Sequence, residues 1–256
     1  MSRIFEQIGQ FLGARPTPAP LQAPAPGDAA TPCAHVLQVI KAQLPLRNRE
    51  EFWARVFAAI DARSLCEIGV YKGAFAEHIL RACEGLRAYH MVDPWRHLDD
   101  WDKPANHGDA QFEALYAEAM SRTAAFAGKR VVHRATTREA AAAIPDGGLD
   151  AVYIDGDHSL RGITIDLIAM LPKLRHGGLL AGDDFTRNIW QHGTDFAPTE
   201  VFPFALYFAE ATGRPIFTLP GSQFCIVNDP GTGFRVFDFG DYLSLSPREI
   251  YLPRAR

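Results

Sequence analysis

Cysteine is scarce in this chain of 256 residues: Cys33, Cys66, Cys83 and Cys225 are its four, with no CxxC pair and no His/Cys spacing of a zinc site. That rules out a disulfide framework and predicts reduced, mostly buried thiols in a cytoplasmic protein. Long apolar runs are missing too, and nothing approaches the ~20 residues that span a bilayer. The opening "MSRIFEQIGQFLGAR" is amphipathic and lacks the continuous apolar core of a signal peptide, so a short docking helix is expected over residues 1–15. Basic runs are absent: 26 Lys and Arg face 30 Asp and Glu, for a net charge of −4. Nucleic-acid binding therefore has no electrostatic support.

What is plentiful is apolar residues, 47% of the chain, enough for a substantial core. Residues 16–32, "PTPAPLQAPAPGDAATP", have little to bury and read as a flexible, partly extended linker. One folded domain is expected over 33–256. It opens with helical spacing in "AHVLQVIKAQL" and "REEFWARVFAAIDA".

From residue 64 strand and helix patterns alternate. "SLCEIGV", "AYHMVD", "RVVHRA", "LDAVYID" and "GLLAGDD" read as strands. Between them lie helical stretches, the last, "LRGITIDLIAMLPKLR", expected to stop at Gly177–Gly178. This order predicts an α/β fold, a doubly wound, mostly parallel sheet with helices on both faces. "RPIFTLPGSQFCIVND" reads as two strands turning at Pro220–Gly221.

In such sheets ligands bind beyond the carboxyl ends of the strands. The first strand ends in "CEIGVYKG", with Glu67, Gly69, Tyr71 and Gly73, the second in Asp93 within "MVDPW". The fourth ends in Asp155 and the fifth in Asp183 and Asp184. Glycines let the backbone turn and approach a ligand, and an acid after the second strand suits ribose hydroxyls. The spacing is ExGxxxG, not the dinucleotide GxGxxG, and there is no phosphate-binding Lys-Ser/Thr pair. A nucleoside without phosphates is the expected ligand. A nicotinamide-dependent oxidoreductase is the weaker alternative, and a non-catalytic adaptor weaker still.

"EIGVYKG", "VDPW", "VYIDGDHS" and "GGLLAGDDF", in this order, resemble the class I S-adenosylmethionine-dependent methyltransferases over residues 60–230, closest to the metal-dependent catechol-type and macrocin-type O-methyltransferases. The resemblance implies a seven-stranded Rossmann-like sheet with an antiparallel last strand. It places the cofactor against Glu67, Gly69, Tyr71, Gly73, Asp93, Trp95, Ala135 and Thr136. It makes Asp155, Asp183 and Asp184 ligands of Mg²⁺ or another divalent cation, and His158 or His192 the general base, with Asp155 beside it. The implied reaction is O-methylation of a small molecule, sugar or glycan; a metal-independent methyltransferase acting on another acceptor is the alternative. Relatives commonly associate, so a homodimer is expected.

Overall fold

Local capping sets where the chain becomes regular. In the computed structural model, residues 31–253 are described; the expected docking helix (1–15) and the linker as far as residue 30 lie outside them. Thr31 accepts the Ala34 N–H at 3.2 Å and Pro32 occupies the first turn, so helix α1 spans Pro32–Gln43. Asn48 caps α2, Arg49–Ala59, by accepting the Glu51 N–H at 2.8 Å.

The alternation then runs as expected: β1 Ser64–Ile68, α3 Ala74–Ala82, β2 Ala88–Val92, α4 Asp109–Arg122, β3 Arg130–His133, α5 Thr137–Ala140, β4 Leu149–Ile154, α6 Leu160–Met170, β5 Leu174–Gly182. Helix α6 ends before Gly177–Gly178. Pro172 follows it, a 3-10 turn covers Leu171–Lys173, and the glycine pair lies inside β5, where the register with β4 shifts. Helix α7, Val201–Ala211, precedes the hairpin β6 Ile216–Leu219 and β7 Gln223–Val227. A short β8, Val236–Asp238, and α8, Pro247–Tyr251, close the described chain.

The sheet order is β3-β2-β1-β4-β5-β7-β6-β8, with β7 antiparallel to both neighbours. Eight strands replace the expected seven because β8 pairs in parallel with β6 through three residues, too few to show a period in sequence. Successive residues of a strand face opposite sides. Leu65 and Tyr153 join one core with Trp53, Phe57, Phe75 and Ile79; Cys66, Val152 and Ile154 join the other with Ile163, Leu167 and Phe202. Both faces are covered, which is why β1 and β4 read as near-continuous apolar runs. All four cysteines are buried and none is in a disulfide. Among the described residues no helix is long and apolar enough to cross a membrane.

The strand ends carry the backbone strain. Gly69 has φ +84°, and a Cβ there would lie 2.1 Å from the Asp155 carbonyl oxygen. Tyr71, Trp95 and Asp184 also adopt positive φ, just beyond β1, β2 and β5. Gly69→Ala should therefore cost more than about 2 kcal/mol of stability in urea unfolding, through clash and left-handed backbone together. A variant as stable as the parent would show that the β1 and β4 ends part easily.

Candidate active site

The turn after β1 is held from below by a carboxylate. Asp93 Oδ2 accepts the N–H groups of Val70 (3.0 Å) and Tyr71 (2.8 Å), and Oδ1 accepts that of Trp95 (2.8 Å). Burial still raises the Asp93 pKa, against those three bonds. Glu67 is 2% exposed and accepts the Tyr89 hydroxyl at 2.7 Å; burial pushes its carboxyl well up, the Tyr89 bond opposing. Trp95 packs edge-on against Tyr116 and donates its indole N–H to the Tyr71 carbonyl at 2.8 Å. It braces the loop from inside the core and does not line the cavity, contrary to the cofactor contact expected of it.

That cavity, about 570 Å³, lies along the carboxyl ends of β1, β2, β4 and β5. Glu67, Gly69, Tyr71, Asp93, Ala135, Thr136, Asp155, His158, Asp184 and His192 all line it. Gly73, also expected at the cofactor, instead starts α3 at φ +74°, with Ala119 of α4 against the space a Cβ would need.

The acids at the ends of β4 and β5 leave neighbouring parallel strands, Ile154 pairing with Gly182. Adjacent strands are ~4.8 Å apart, so two bare carboxylates there repel by about 3 kcal/mol at an effective dielectric of 20. The chain supplies the counter-charges. Arg49 Nη1 bonds Asp155 Oδ2 at 2.8 Å and also contacts Asp183 Oδ2. Burial works against the Arg49 charge, but the neighbouring Asp155 carboxylate holds its pKa above the ordinary value. Gln223 Nε2 donates to Asp183 Oδ1 at 2.5 Å, while Gln223 Oε1 accepts from Trp53 and Tyr153, each at 2.8 Å.

On the other side, His158 Nδ1 bonds Asp184 Oδ2, and His158 Nε2 lies 3.6 Å from Asp155 Oδ1 without a hydrogen-bond partner. Gln191 donates to Asp184 Oδ1 at 2.7 Å. Burial disfavours charge on both His158 and Asp184. Their mutual bond wins: Asp184 falls to about 2, and His158, with Asp155 also near, rises above its usual value. Asp155 itself is raised, chiefly by burial, with His158 and Arg49 pulling the other way. Acids and bases thus alternate: Asp183, Arg49, Asp155, His158, Asp184.

This arrangement differs from the expected metal set. Asp183 is committed to Arg49 and Gln223. The side chains whose ligand atoms converge, within 4.8 Å of one another, are Asp155, His158 and Asp184. The three aspartates do not fit the open oxygen cage that Mg²⁺ prefers, since each already has a donor from the protein. His192 is exposed on the cavity rim, its pKa lowered by burial and by Lys103. Lys103, 6% exposed, donates to the Ala197 and Pro198 carbonyls at 2.8 and 3.1 Å and pins one wall loop onto the segment after β5.

Arg49, Lys103, Gln191 and Gln223 escaped the sequence reading. One signal for Arg49 was present: a cation in the first helical turn opposes the helix dipole and needs a partner elsewhere.

Residues 66–185 match the family model described as a methyltransferase domain. No curated protein matches the chain. Among solved structures, the fold is similar to an O-methyltransferase from Bacillus cereus in complex with SAH (TM-score 0.51, 16% identity, 88% of this chain and 97% of that one). It is also similar to cofactor-bound Rv0187 from MTB (0.50, 15%, 81% and 100%) and to a Staphylococcus aureus protein assigned as a caffeoyl-CoA O-methyltransferase (0.52, 11%, 88% and 97%). The fold is that of the class I methyltransferases. The domain match runs over β1 to β5, the part of the chain that builds the parallel half of the sheet.

The Asp184 carboxylate, held low, contributes stability that is present above the unfolded pKa of about 3.9 and lost as pH falls towards 2. Asp184→Asn should remove about 2 kcal/mol of that acid-side slope in urea titrations between pH 5 and 2. An unchanged slope would mean that the His158 pairing carries no such stability.

Proposed function

We propose that the chain moves a methyl group from S-adenosylmethionine to a hydroxyl of a small polyhydroxylated acceptor, a sugar or glycan, within this cavity. The observation that carries this reading is the Asp184–His158 pair: His158 lines the cavity, and its second ring nitrogen, Nε2, is buried with no hydrogen-bond partner. A cavity near 570 Å³ suits a nucleoside cofactor with a small acceptor beside it.

The cofactor supplies an electrophilic methyl on sulfonium. In this reading the loop from Glu67 to Gly73 faces its methionine half, and Ala135 and Thr136 border the adenine. Asp93 has about four acceptor sites, and three already take backbone N–H groups. About one is left for a ribose hydroxyl, so Asp93 would shape the loop as much as it binds. The acceptor oxygen attacks the methyl carbon, the carbon–sulfur bond breaks with its electron pair going to sulfur, and His158 Nε2 takes the hydroxyl proton. The imidazolium formed lies between Asp184 and Asp155, both of which favour it. Trp101 lines the cavity, and its buried indole N–H has no hydrogen-bond partner. The lining mixes acids (Asp100, Asp157) with bases (Lys103, Arg161), which suits a neutral polyol.

His158→Ala should lower turnover about 10²- to 10⁴-fold while calorimetric S-adenosylhomocysteine binding stays within a few-fold. Turnover in the parent should rise with pH through a pKa above the histidine norm of about 6.5, because only neutral His158 accepts a proton. A rise below that value would transfer the role to His192, whose shift has the opposite sign. Methylation confined to nitrogen acceptors would sink the hydroxyl reading.

A further inference from the structure

We infer that the Arg49 guanidinium stands where a divalent cation would bind and makes this acidic site independent of metal. One nitrogen, Nη1, meets the carboxylates leaving both β4 and β5, Asp155 Oδ2 at 2.8 Å and Asp183 Oδ2. Two carboxylates turned towards one cationic atom are what a bridging ion would gather.

Arg49 is held in this position from several sides. Its Nε donates to Glu50 at 3.2 Å, and its guanidinium carbon lies 6.0 Å from the Phe75 ring centre. It begins α2, the helix whose Trp53 bonds Gln223 Oε1; the same Gln223 side chain donates to Asp183. The third aspartate is engaged as well, Asp184 accepting from His158 and Gln191. A divalent ion entering here would have to displace a donor from every carboxylate and sit beside a fixed positive charge. A guanidinium never loses its proton in the working range, so chelators and pH leave this counter-charge in place.

The inference rests on reading the cavity as the methyl-transfer site, and the experiment reads metal and cofactor separately. Chelator-treated full-length protein is titrated with Mn²⁺, free ion being followed by electron paramagnetic resonance, and with S-adenosylhomocysteine by calorimetry. The parent should bind no Mn²⁺ tighter than about 1 mM, whereas Arg49→Ala should gain one site at least about tenfold tighter. Adding Asp183→Asn should abolish the gain. Arg49→Gln, which keeps a hydrogen-bonding side chain without the charge, gives the same readout should Arg49→Ala fold poorly.

One micromolar Mn²⁺ site in the parent, lost in Asp155→Ala, would overturn the inference. So would folded Arg49 variants that gain no Mn²⁺. Failure of the parent to bind S-adenosylhomocysteine would instead remove the methyl-transfer reading, leaving the Mn²⁺ comparison to stand on its own.

Discussion

Like charges brought together at the ends of adjacent strands are the constraint around which this molecule is arranged. Parallel pairing of β4 with β5 forces Asp155 and Asp183 into neighbourhood, whatever else the chain does. Leaving them bare in a half-buried cleft is unfavourable, and without a counter-charge one of them is driven to take up a proton. The chain answers with two partners from different places, the Arg49 guanidinium from the helix before the sheet and the His158 imidazole from the turn after β4. Helix α2 is thereby tied to the site. The bond from Trp53 to Gln223 and the contact of Gln223 with Asp183 repeat that tie at a second point.

The cofactor side obeys a related rule. Asp93 spends three of its acceptor positions on backbone N–H groups and so fixes the path of the glycine turn. Gly69 lets that turn press against the Asp155 carbonyl, where no side chain fits. The two halves of the cavity are joined through this contact: the same residue that carries the Asp155 carboxylate supplies the carbonyl that bounds the cofactor loop.

Much of this was legible in the sequence, because strand and helix periods are local. The five parallel strands, the late hairpin and the acids at strand ends could be read directly, and ten of the expected site residues do line one cavity. What escaped was non-local. Nothing near Arg49 in the chain announces Asp155, 106 residues away. Asp183 looked like a ligand because its own neighbourhood matches a metal motif; its actual partners lie on α2 and β7. Trp95 follows Asp93 closely enough to suggest the pocket, yet its left-handed backbone, φ +41°, accompanies a ring turned into the core. The stop expected at Gly177–Gly178 failed because a proline had already ended the helix.

The tie between the first helices and the last strands has a consequence for how the protein is made. The Cys33 amide bonds the Asp229 carboxylate at 3.1 Å across 196 residues, and Trp53 reaches Gln223 across 170. During synthesis α1 and α2 emerge well before their partners on and just after β7. At ~5–20 residues per second, the apolar face of these helices waits on the order of ten seconds or more for β7. Contacts of such separation slow folding and leave the early segment exposed to self-association. Arg49, which completes the acidic centre, is thus made 106 residues before Asp155, the carboxylate it binds.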